Sequence, residues 1–133
     1  MGTDLQDAVD DSDFAFTVER APDAASPDIA VGVDISRVGD FDGDGIDDFL
    51  VSSPTLDVPD GNAGTRADAG AVFVVFGGSD LATDVADGRL DLSLDPGDLD
   101  GEGLVFLGAT ADDVLSGTGA GDVNGDGLAD ILL

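Results

Sequence analysis

Five residue types are missing from this chain: cysteine, histidine, lysine, tryptophan and tyrosine. Without cysteine there are neither disulfides nor thiol chemistry, and the redox compartment is left undecided. Without histidine or lysine, Ser-His-Asp and Cys-His nucleophiles, Schiff-base catalysis and a lysine-dependent phosphate loop are all excluded. Paired carboxylates hydrolyse glycosides, but the usual sugar platforms, tryptophan and tyrosine, are absent. The glycine-rich Gly117–Gly121 stretch has Asp122 where a dinucleotide fingerprint needs its third glycine, and its acidic surroundings repel phosphate. The composition therefore points away from an enzyme.

Cations are nearly missing too. Arg20, Arg37, Arg66 and Arg89 stand against 30 acids, for a formal charge of −26, and only Glu19 and Glu102 among those acids are not aspartate. Such a surface repels nucleic acid and anionic membranes. The 42% of hydrophobic residues is nonetheless enough for a core, so this is not a solvated acidic tail. The excess of carboxylates matches a high-salt environment, where screening quiets self-repulsion. No apolar stretch reaches membrane-spanning length and the N-terminus lacks a charged and apolar leader, so no membrane insertion and no export signal are expected from these residues.

What the chain has in abundance is aspartate at regular spacing. Residues 40–48 read DFDGDGIDD. Asp40, Asp42 and Asp44 alternate, Gly43 and Gly45 allow a turn tight enough for the carboxylates to converge, and the Ile46 carbonyl and Asp48 complete an oxygen-only shell. Oxygen ligands in a flexible loop favour calcium over magnesium or zinc. The pattern returns at residues 122–130, DVNGDGLAD, where Asp122, Asn124, Asp126, the Leu128 carbonyl and Asp130 occupy the same places 82 residues later. Two calcium ions are thus expected. A plain Gly/Asp turn is the alternative, but it gives no reason to crowd four carboxylates into nine residues. An EF-hand is excluded because its twelfth position, a bidentate glutamate, is Val51 in one copy and Leu133 in the other. A dockerin pair is excluded by the long spacing between copies.

Between the loops, short apolar segments alternate with turn-rich stretches. Phe14 to Val18, Ile29 to Ile35, Phe49 to Ser53, Gly70 to Gly77, Leu104 to Leu107, the approach from Ala111 to Ala120, and Leu128 to Leu133 read as strands, with GAVFVVFG buried on both faces. Residues 55–69 read as a long polar loop, and 78–100 as a second connection holding LDLSL, at most a short edge strand. Helical periodicity is absent, and the fold class is all-β. The phenylalanines belong to the core, with Phe41 folding back from the loop, and each arginine is expected to pair with an aspartate.

These residues resemble the FG-GAP repeats of the integrin alpha-subunit β-propeller and of many bacterial and archaeal surface proteins. Val31 and Gly32 stand at the FG of that pattern, Asp40 to Asp48 at its calcium hairpin, Ser52 to Pro54 at its GAP, and GAVFVVFGGS at its following strand. From Gly103 the pattern begins again, with Asp113 and Val114 in place of FG. The resemblance implies about two antiparallel propeller blades with calcium-binding hairpin loops: residues 1–12 an acidic lead-in, 13–107 the first repeat with a preceding outer strand, and 108–133 the truncated start of the second. Seven strands fall short of the roughly four to eight four-stranded blades that close a propeller, so a fragment of a longer propeller, or self-association to complete one, is expected. It further implies an extracellular or cell-surface, non-catalytic recognition or adhesion module for a protein or glycan ligand. The alternatives are a calcium-dependent self-assembling repeat, or an accessory module of a larger surface enzyme.

Overall fold

The computed structural model describes residues 17–20, 34–84, 89–92 and 103–133. The expected strands over 14–16 and 29–33, the FG position at Val31 and Gly32, and the lead-in at 1–12 lie outside them.

The fold is predominantly β. Its centre is a four-stranded antiparallel sheet built from β2 (Asp34–Gly39), β3 (Asp48–Ser53), β6 (Ala71–Val75) and β8 (Gly103–Leu107), lying side by side in chain order. Two-residue periodicity on β3 and β6 sends Val51, Ala71, Phe73 and Val75 to one face and Leu50, Val72 and Val74 to the other. Both faces are covered. Leu56, Leu81, Leu90 and Leu92 pack on the first, while Phe41, Phe76, Phe106, Leu115, Ala129 and Ile131 gather round the second with Val38. Every residue of β6 is buried, as its unbroken apolar run demands. Truncating Phe73 to alanine would cost about 3–5 kcal/mol by the usual cost of emptying a core aromatic site.

The connections differ from the sequence reading in three places. Residues 55–69 are not wholly a polar loop: Leu56 and Val58 are fully buried, and β4 (Val58–Pro59) pairs with β5 (Thr65–Arg66) as a small hairpin. The Asp60 carboxylate closes its turn by accepting from the N–H groups of Asn62 and Gly64 at 2.7 and 2.9 Å. Residues 78–100 hold the short strand expected at LDLSL, as β7 (Arg89–Leu92), but it pairs in parallel with β1 (Thr17–Arg20), and a short helix, α1 (Ser79–Asp84), precedes it. Leu81, one turn in, anchors the helix in the core, which a search for long amphipathic periodicity does not detect. Ile35, expected inward by alternation, is 60% exposed: β2 is the sheet edge, and none of the described core residues packs on it there.

A second hairpin, β9 (Thr118–Gly121) with β10 (Asp130–Leu132), lies against β2 and β3. Its seam joins the packing of Ala129 and Ile131 to serine hydrogen bonds and close backbone approaches. The Ser52 hydroxyl donates to the Gly117 carbonyl at 3.1 Å, and its oxygen accepts from the Gly117 N–H at 3.0 Å. A Cβ on Gly119 would meet the Arg37 carbonyl at 2.5 Å, so only glycine allows this approach.

Candidate metal centre

Each aspartate-rich stretch caps a hairpin, and the two hairpins are built alike. In the first, Gly39 faces Asp48 and Arg37 faces Phe49, leaving Val38 as a bulge; in the second, Gly121 faces Asp130 and Gly119 faces Ile131, leaving Ala120. Each bulge bends the strand just before position 1 of its loop. Gly43 and Gly45 have φ of +86° and +87°, and Gly125 and Gly127 of +80° and +90°, values that side chains rarely adopt.

The same hydrogen bonds hold both loops. Asp40 accepts from the N–H groups of Gly43 (2.7 Å) and Gly45 (2.9 Å), and Asp122 from those of Gly125 (2.6 Å) and Gly127 (2.8 Å). Asp42 and Asn124 each accept from the residue two further on, Asp44 and Asp126, and these in turn accept from Ile46 and Leu128. Asp48 accepts from the Phe41 N–H at 2.7 Å, and Asp130 from that of Val123 at 2.8 Å. Phe41 does fold back, stacking on Phe76 at 6.4 Å between ring centroids.

The loops differ in how far their carboxylates converge. Oxygens of Asp40, Asp42 and Asp48 lie within 4.8 Å of one another. Among the described residues no other group of three acids meets that spacing: in the second loop the place of Asp42 is taken by Asn124, whose amide nitrogen lies 3.5 Å from an Asp130 oxygen. Asp44 stays outside the first trio, on the exposed rim, as does the Ile46 side chain. Asp48 is the buried member. Besides Phe41 it accepts from Asp42 (3.3 Å) and, with its other oxygen, from the Gly77 N–H at 2.8 Å just past β6.

Electrostatics separates this cluster from ordinary acidic turns. The Asp42 carboxyl is held above its usual range by desolvation and by repulsion from Asp48, Asp44 and Asp40, against the pull of the Asp44 N–H. Asp60 and Asp113 show the opposite sign. Asp60 is lowered by the N–H groups of Asn62 and Gly64, and Asp113 by the Thr110 hydroxyl and the N–H groups of Thr110 and Ala109, each with help from Arg66. Asp122 is lowered as well, by the Gly127 N–H first, then those of Gly125 and Asp126. One carboxylate closing one turn is content with backbone donors. Three within 4.8 Å repel by roughly 1 kcal/mol per pair even in a water-like dielectric, and a cation converts that cost into attraction. The donors are all oxygens, which suits a hard ion.

Of the arginines whose side chains are described, Arg37 pairs with Asp47, next to the first loop, as an exposed ion pair of little weight. Arg66 instead reaches the carbonyls of Ala109 and Pro59. Two partners escaped the sequence reading: the Gly77 N–H that fixes Asp48, and the Ala129 N–H that donates to the Asp40 carbonyl at 2.8 Å. Both cross between distant segments, and no local residue pattern announces them. No family model matches the sequence, and neither a curated protein nor a solved structure matches it significantly.

Proposed function

We propose that this chain is a calcium-stabilised segment of FG-GAP-type β-propeller, serving as a non-catalytic recognition or adhesion module outside the cell or on its surface. The observation that carries the reading is the recurrence, 82 residues apart, of one bulged hairpin with one nine-residue loop and one hydrogen-bond scheme. The blade reading is supported by the four antiparallel strands in chain order, covered on both faces, and by the second hairpin packed against one of those faces. Val114 adds support. It holds φ of +53°, an outlier for a β-branched residue, at the place where the family pattern has the glycine of FG.

Calcium in this reading is structural. Asp40, Asp42 and Asp48 hold the first ion, with Asp44 and the Ile46 carbonyl free to close on it; Asp122, Asn124, Asp126, the Leu128 carbonyl and Asp130 hold the second. Each ion cancels carboxylate repulsion and so couples its binding to folding. A site filled at about one hundred times its dissociation constant adds about 2.7 kcal/mol. Chelation of the purified chain in high salt is therefore expected to lower the melting temperature by about 10 °C or more. A folded chain whose melt ignores both calcium and chelator would reduce the loops to acidic turns and sink the proposal.

A second reading, calcium-driven self-assembly, draws on one specific feature. Leu132 and Leu133 are 65% and 49% exposed beside a groove of about 510 Å³ that Pro54, Ser116 and Thr118 help to line, an uncharged patch apart from Asp34. Sedimentation with and without calcium separates the readings, since only assembly changes the mass.

A further inference from the structure

The two loops touch. Beside the bond from the Ala129 N–H to the Asp40 carbonyl, a Cβ built on Gly39 would lie 3.2 Å from the Ala129 Cβ, and one on Gly43 3.2 Å from a Leu128 methyl. The Ala129 N–H and the Leu128 carbonyl belong to one peptide unit. That unit carries a ligand oxygen of the second loop at one end, and at the other it is bonded to the backbone of the residue that opens the first. We infer that the two loops bind calcium with positive cooperativity through this shared peptide, an inference that rests on reading both loops as calcium sites.

A cation on the Leu128 oxygen draws electron density from the peptide and strengthens its N–H as a donor to Asp40. Conversely, an ion that fixes the backbone at Asp40 holds the same peptide in the orientation the second ion requires, so the later ion has less ordering to bear. Repulsion between the two cations works against this. It is screened over about 10 Å in 0.1 M salt and about 3 Å in 1 M, whereas a direct hydrogen bond is not. The coupling therefore grows with salt.

The test is calorimetric titration of the whole chain with calcium chloride, in 0.1 M and 1 M sodium chloride, for the unmodified protein, Asp40→Ala and Asp122→Ala. Two ions are expected to bind with a Hill coefficient above one, and the surviving site of each variant to bind about fivefold or more weakly than in the unmodified protein. The loss is expected to be larger in 1 M salt. Ala129→Pro, which removes the N–H and keeps the Leu128 carbonyl, is expected to bind two ions without cooperativity. Should that variant fail to fold, the Ala129 amide resonance of Asp122→Ala decides: it shifts on calcium addition at the affinity of the first site. Unchanged affinities of the surviving sites, or a stationary Ala129 amide, overturn the coupling while leaving calcium binding intact. Absence of calcium binding in the unmodified protein overturns both.

Discussion

The two aspartate loops share a backbone and differ in their setting. The first ends in Asp48, buried and tied to Gly77 beyond β6; the second ends in Asp130, half-buried, whose hydrogen bonds among the described residues come from Val123 and Asn124 of its own loop. The first carries Asp at its third position and the second Asn. The local scheme of glycines and N–H donors thus shapes both loops alike; the second has Asn124 where the first trio has Asp42, and a distant strand adds an anchor to Asp48 alone. A motif sets the fold of its turn; the residue at its third position sets how many charges meet there, and the sheet adds a second anchor for the ninth.

The largest contrast is expected at the ninth position. Asp48→Ala leaves the N–H groups of Phe41 and Gly77 without their acceptor and is expected to cost about 3 kcal/mol, against about 1 kcal/mol for Asp130→Ala. Urea midpoints in chelator measure both. Equal losses would mean that the link to Gly77 does not distinguish the loops. Next comes the exchange of third positions. With its extra carboxylate the first loop is expected to bind calcium more tightly; Asn124→Asp is expected to strengthen the second site and Asp42→Asn to weaken the first, each by about tenfold, the order of one charge-assisted ligand. Titrations that rank the sites equal, or the second tighter, refute that order.

The smallest effect belongs to a turn with no part in cation binding. The Asp113 carboxyl lies below its usual range, so it stabilises the fold above the unfolded-state value of about 4, and the contribution is lost as pH falls through the folded one. Asp113→Asn is expected to melt lower than the parent at neutral pH, with the gap closing in acid and with no response to calcium. A calcium-dependent gap would tie this turn to the loops and blur the distinction between them.

Much of this was legible in local pattern. Alternation and unbroken apolar runs announced β3, β6, β8 and β10, and the spacing of aspartate and glycine announced both loops to the residue. What escaped is non-local. The parallel pairing of β1 with β7 depends on segments some seventy residues apart. The β4–β5 hairpin has only two residues per strand, too few to alternate, and its buried Leu56 and Val58 sit among turn formers. Neither the place of Asp44 outside the trio nor the Gly77 N–H that anchors Asp48 is contained in a spacing rule.

The glycine at 119 has a consequence for how such units stack. Moved back by the 82-residue period, its place in the first hairpin is taken by Arg37, whose side chain projects into solvent toward Asp47. At this one point of the seam the second hairpin brings no side chain, so its backbone closes on the Arg37 carbonyl; the first hairpin carries an arginine there and cannot make the same close approach to a neighbour. Stacking of these hairpins consequently has a direction. Gly119 is the inserting point, and the backbone at Arg37 the receiving one.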